Sequence, residues 1–132
     1  RDLMQKELEA FVPSKMIIIF LERYAYGARA GQAFSIGEWG GVLRVLLDEM
    51  KFKEVFEVSP PTLKKYITGH GNAKKEQMLL QTFKRYKIEF QSNDLCDAYG
   101  LARMNWARDN QSKLLKHEKE ALQTVMEYNK DV

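Results

Sequence analysis

Three acids, Glu22, Asp94 and Asp97, are the side chains of this sequence best suited to chemistry. Glu22 closes the six-residue apolar run Met16–Leu21, and the carboxyl end of a buried strand is where ligands of open α/β sheets gather. Asp94 and Asp97 are three residues apart beside an expected helix start, so both project from one face of that helix. Carboxylates that converge in this way can share a hard divalent cation such as magnesium, which takes oxygen ligands. Simpler readings stay open at this point. An acid at a strand end can be merely solvated, and Asp94 can complement the helix dipole. Asp97 is harder to dismiss, because it stands among Leu95, Cys96, Ala98 and Leu101 on the expected buried side. A lone carboxylate there is costly to desolvate unless it is paired or bound to a cation.

A second signal is charge. The chain of 132 residues carries a net charge of only +3. Within Pro60–Phe90, however, Lys64, Lys65, Lys74, Lys75, Lys84, Arg85 and Lys87 face only Glu76 and Glu89, an excess of +5. A local basic excess of this kind is the footprint of a polyanion-binding surface, although a solvated helix face explains most lysine runs. Here the lysines flank Gly69-His70-Gly71, whose backbone amides can also face a phosphate.

The elements that must position these groups follow from hydrophobic periodicity. With 45% hydrophobic and 30% charged residues the composition is that of one globular domain. No apolar run is long enough to span a bilayer and Arg1–Phe11 does not read as a signal peptide, which predicts a cytoplasmic protein without membrane association. The single cysteine, Cys96, excludes an internal disulfide. Asp2–Phe11 is expected to be an amphipathic helix, Met16–Leu21 a strand buried on both faces, and Tyr24–Ser35 a loop. Ile36–Met50 repeats Trp39, Val42, Leu43, Leu46, Leu47 and Met50 at helical spacing. A second strand follows at Val55–Val58, giving a βαβ unit with parallel strands. Helices are expected at Thr62–Ile67, Ala73–Lys87, Asp94–Arg108 (capped by Asn93, burying Leu95, Ala98, Leu101 and Ala102) and Gln111–Asn129 (apolar stripe Leu115, Leu122, Val125, Met126). Trp39 and Trp106 are assigned to packing. Two strands rarely make a stable sheet, so further strands are expected from sequence upstream of Arg1.

Three stretches carry a family resemblance. Ser59–Met78 resembles the RuvC family of Holliday-junction resolvases, with its Pro, its Lys and its Gly-x-Gly-x-Ala-x-Lys pattern at Gly69–Lys75. Asn93–Ala102 is similar to the family's Asp-x-x-Asp-Ala helix, and Ile19–Glu22 to the strand ending in its second catalytic acid. The segment Gly27–Leu43 looks more like the phage and prophage branch. Together the matches run from about Met16 to Ala102.

The resemblance implies an α/β fold of RNase H-like type, a mixed sheet flanked by helices, over residues 1–110, with 111–132 as a C-terminal helix. It implies a metal-dependent endodeoxyribonuclease acting on Holliday junctions or other branched DNA as a homodimer, with the Ile36–Met50 helix as candidate interface. Glu22, Asp94 and Asp97 would occupy three of the family's four acidic positions and hold two magnesium ions, manganese substituting. The fourth acid belongs to a first strand, which Asp2 is too near Glu22 to supply. Lys64 and Lys75 match family lysines near the scissile phosphate, Lys75 counting among the catalytic residues. Lys65, Lys74, Lys84 and Arg85 would contact phosphates farther away. From its place in the glycine loop His70 could stabilise charge near the phosphate or be simply an exposed loop histidine. Tyr24, Tyr26 and Phe34 flank the loop after the Glu22 strand, where an aromatic could stack on a base opened at a junction; stacking is favoured for Tyr26, while Phe34 suits core packing equally. The competing readings are a non-catalytic DNA-binding module of the same fold and a related nuclease with another substrate.

Overall fold

The computed structural model describes residues 17–23 and 41–130. The expectations placed on the Asp2–Phe11 helix, the Tyr24–Ser35 loop, Tyr24, Tyr26, Phe34 and Trp39 lie outside the described residues. In chain order the elements are strand β1 (Ile18–Glu22), a helix over residues 41–50 (α1), strand β2 (Glu54–Val58), and helices α2 (Pro60–Thr68), α3 (Lys75–Tyr86), α4 (Asn93–Ala107) and α5 (Lys116–Lys130). A 3-10 turn, Gln111–Lys113, precedes α5. The expected βαβ order is therefore present. Lys53 N–H donates to the Ile17 carbonyl (3.0 Å) and Arg23 N–H to the Val58 carbonyl (2.7 Å), so both strands advance together and pair in parallel.

The described residues fall into two compact units: 17–19 with 41–56, and 20–23 with 57–130. In the first, α1 buries Leu47 and Met50 but leaves Val42, expected on the apolar stripe, 51% exposed together with Val45. It ends at Lys51, whose φ of 53° is left-handed and breaks the helical repeat.

The second unit is built around α2, which packs against α3, α4 and α5. Ser59 caps α2 by accepting from Thr62 N–H (3.3 Å), and Pro60 and Pro61 occupy its first turn, where no intrahelical donor is lost. Gly69 ends the helix at φ 86°, its N–H bonded to the Lys65 carbonyl at 2.8 Å. This is the left-handed stop that a glycine takes without strain. Leu63 and Tyr66 of α2, Met104 and Ala107 of α4, and Ala121, Leu122 and Val125 of α5 form the core with Val58 at the end of β2.

Three sequence expectations are corrected in this unit. The cap of α4 is Ser92, whose Oγ accepts from Asp94 N–H (3.2 Å) and Leu95 N–H (3.4 Å), while Asn93 is the first helical residue. The buried face of α4 is Cys96, Gly100, Met104 and Ala107; Leu95 is 58% exposed, and Ala98 and Ala102 are exposed as well. The reason is Gly100: a Cβ there would fall 2.9 Å from Leu63 Cδ1 and 3.2 Å from Ile67 Cδ1, so it is at the glycine that α4 approaches α2 most closely. The last helix starts at Lys116 rather than Gln111, because Glu118 reaches back to accept Leu115 N–H (2.8 Å) and fixes the start there.

Two polar clips complete the packing. Asn129 of α5 accepts from Glu57 N–H (2.9 Å) and donates to the Glu57 carbonyl (3.0 Å), meeting the strand edge as a neighbouring backbone would. Thr82 Oγ1 lies 3.3 Å from Cys96 Sγ, joining α3 to α4 through two fully buried side chains. Among the described residues no helix is long and apolar enough to cross a membrane.

Candidate functional site

Glu22 is the last residue of β1, held at the strand end by the adjacent Arg23–Val58 backbone bond. Asp94 and Asp97 lie in the first two turns of α4, Asp94 exposed and Asp97 half-buried. These three acids, far apart in sequence, act on one another in the folded unit. Burial raises the Glu22 carboxyl above its ordinary pKa, Asp97 raises it further, Lys64 opposes both, and Asp94 adds a smaller push upward. Burial likewise raises Asp97, with Asp94 adding to the shift and Lys64 and Lys75 opposing it. Glu22 and Asp97 are thus each coupled electrostatically to Asp94 and Lys64, and Asp97 to Lys75 as well.

The donor chemistry fits a hard divalent cation. Two partly desolvated carboxylates raise each other's proton affinity, a conflict that bound positive charge relieves. Asn93 adds a buried side-chain oxygen, Oδ1, that makes no hydrogen bond, and it lies one turn before Asp97 on the same helix face. Among the described residues no three His, Cys, Asp or Glu side chains are grouped closely enough to form a complete ligand cage. The acids are coupled through their charges and not yet closed around a point.

The shift at Asp97 has a consequence for stability. Its folded-state pKa lies above the ordinary 3.8, so between those values the folded state holds the proton more tightly than the unfolded chain. Stability then falls as pH rises through that window and stays lower above it. Asp97→Asn, which cannot ionise, is expected to raise the melting temperature of the metal-free protein at pH 7, the gain vanishing below about pH 3. Thermal melts across pH check this; a lower melting temperature at neutral pH would show that the carboxylate is stabilised, not strained.

The rest of the basic run is placed differently. Lys65 Nζ is 2.9 Å from Glu120 Oε2, and Arg85 Nε is 3.3 Å from Glu118 Oε1, so α5 holds two of the expected phosphate contacts. Lys74 and Lys84 are exposed, and His70 is exposed in the glycine loop, its N–H bonded to Thr68 Oγ1 at 3.1 Å. Trp106 is 39% exposed and lies against the Arg103 guanidinium, 4.3 Å from its ring centroid, which makes it a stacking partner more than a core residue. Glu118 and Glu120 were not legible as site residues. The last helix is charged on most sides, and nothing in the sequence sets these two acids apart from its other charges.

Comparison with known proteins supplies an independent line. A model of the family described as crossover junction endodeoxyribonuclease RuvC matches residues 2–104. The chain is 31% identical over 101 residues to a crossover junction endodeoxyribonuclease RuvC of Brevibacillus brevis, covering 75% of this chain and 58% of the relative. It is 33% identical over 103 residues to the protein of that name from Chloroherpeton thalassium, covering 76% and 53%. The chain thus spans about half the length of the curated relatives it matches. The Thermus thermophilus RuvC structure superposes with a TM-score of 0.57 at 23% identity, over 79% of this chain and 66% of that one, a likeness of fold. Helix α5 lies beyond the family-matched residues.

Proposed function

The chain belongs to the RuvC family and has its RNase H-like fold, and on that premise we propose that it is the greater part of a metal-dependent endonuclease that hydrolyses phosphodiesters in four-way or otherwise branched DNA. The observation that supports the reading is the electrostatic coupling of Glu22 and Asp97 to Asp94 and Lys64, and of Asp97 to Lys75, acids suited to a cation and lysines suited to a phosphate. Glu22 from the strand and Asp94 and Asp97 from the helix would hold magnesium, with manganese as a substitute, and a fourth carboxylate would come from outside the described residues. Divalent ions so held would lower the pKa of a bound water and neutralise the departing oxygen. Lys64 and Lys75 would hold the scissile phosphate against the acids, which repel it until the cation is in place. Lys74, Lys84 and His70 would contact the backbone farther along the arm, positioning it without reading sequence.

A two-fold dimer would present two such sites to the two symmetric strands of a junction. The exposed valines of α1, Val42 and Val45, are suited to that interface. A second reading, a DNA-binding module without catalysis, is favoured by the lack of a complete ligand cage among the described residues. The deciding experiment offers the full-length protein a four-way junction and a linear duplex of the same sequence in magnesium. Cleavage confined to the junction is the expected result. Tight junction binding without cleavage would replace the nuclease with the binding module, and equal cleavage of both substrates would remove the structural selectivity.

A further inference from the structure

Both oxygens of one carboxylate on α5 engage lysines from two different helices. Glu120 Oε2 is 2.9 Å from Lys65 Nζ on α2, and Glu120 Oε1 is 4.0 Å from Lys116 Nζ on α5 itself. His117, three residues before Glu120 on the same helix, has its ring set against the stop of α2, where a Cβ on Gly69 would fall 3.7 Å from it. Lys65 and Lys116 draw the Glu120 carboxyl below its ordinary pKa, and His117 adds to the effect. Two ammonium groups brought side by side need an anion between them, and here the chain provides its own.

From this arrangement we propose that Lys65, Lys116 and His117 form a binding site for a backbone phosphate of DNA, a site that the Glu120 carboxylate fills in the free protein and yields when an arm docks. The inference rests on the branched-DNA reading for its partner, and it gives α5, which lies outside the family-matched residues, a function. The occupant is suited to exchange. Glu120 and Lys65 are only half-buried and Lys116 is 91% exposed at its side chain, so the ion pairs are of the weak, solvent-screened kind. A phosphate brings more acceptor oxygens than a carboxylate and arrives with the rest of the arm already held by the neighbouring lysines. Lys65 follows Lys64 on α2, and consecutive helical residues face about 100° apart. The site therefore adjoins the acid cluster without sharing it, and it would hold a phosphate away from the scissile one.

The test measures junction binding by fluorescence anisotropy across a salt series, with the full-length protein in chelator, so that neither a metal nor cleavage enters. Glu120→Gln is expected to tighten binding several-fold with little change in the dependence of log K on log salt, because the parent makes the same phosphate contact once the carboxylate has yielded. Lys116→Ala should weaken binding and flatten that slope by about 0.9, one phosphate contact. In a Lys65→Ala, Lys116→Ala background the gain from Glu120→Gln should vanish. Glu127→Gln is the control, since it removes the same charge from the same helix at a residue whose carboxylate accepts from Gln123 and, among the described residues, pairs with no lysine. If Glu127→Gln tightens binding as much as Glu120→Gln, or Glu120→Gln leaves the affinity unchanged, the proposal is overturned. It is overturned as well if the parent shows no salt-dependent binding. Loss of cleavage with these binding results intact would remove the nuclease reading and leave the phosphate site standing.

Discussion

Asp97→Asn in the full-length protein is expected to lower magnesium-dependent cleavage of a four-way junction by about three orders of magnitude while leaving junction binding intact. The amide nearly preserves the shape of the side chain and removes an anionic ligand. A cation held by the remaining groups would be displaced or lost, and with it several kcal/mol of charge stabilisation in the transition state. At about 1.4 kcal/mol per factor of ten, that is a loss of roughly a thousandfold. Glu22→Gln and Asp94→Asn should fall into the same class, because all three acids act on one another in the folded unit. Binding in chelator should tighten in each variant, since one negative charge fewer stands beside the phosphates in the metal-free site. Melting curves run alongside separate this from damage to the fold. A variant that folds and cuts at near the parent rate would remove its residue from the metal site and favour the binding module.

What the sequence could show about this site depended on how local each signal was. Met16–Leu21, the Gly69 stop and the Asp94–Asp97 spacing are legible in short windows, and all three landed within a residue or two of the observed elements. The coupling of Glu22 and Asp97 to Lys64 could be expected only through the family resemblance, since nothing local links residue 22 to residue 64. The face of α4 was misread for a related reason. Periodicity counts apolar side chains, and Leu95, Ala98, Leu101 and Ala102 outnumber Cys96 and Met104, but the helix turns toward α2 the face that carries Gly100. A residue with no side chain decides the approach and contributes nothing to an apolar count.

The acids of α5 were missed because the helix looks charged on most sides, and only the fold distinguishes a carboxylate facing solvent from one facing inward. Glu118 is 2% exposed although it sits between His117 and Lys119 in a charged stretch. It is a functional group of the packing: one oxygen accepts Leu115 N–H and the other meets Arg85. The basic run of α3 therefore serves two purposes. Arg85 secures α3 to α5, while Lys84 next to it remains exposed for a polyanion.

Removing the partner of Glu118 should accordingly cost more than neutralising Glu118 itself. Arg85→Met keeps much of the aliphatic contact but leaves a buried carboxylate without its cation. Breaking a fully buried pair from one side costs about 3–5 kcal/mol. Because the Arg85 side chain is 42% exposed, solvent screens part of this, and about 2 kcal/mol is expected. Glu118→Gln retains a side-chain oxygen able to accept Leu115 N–H and carries no charge to desolvate, so its cost should stay below about 1 kcal/mol. The double variant should resemble Glu118→Gln alone, since the amide does not need the guanidinium. In a domain of this size the Arg85→Met loss corresponds to a drop in melting temperature of roughly 6–10 °C. Melting of the four proteins in parallel gives the coupling directly. If Arg85→Met and Glu118→Gln each cost less than about 0.5 kcal/mol, the pair contributes no more than an exposed one, and the docking of α5 rests on Leu122, Val125 and the Asn129 clip to β2.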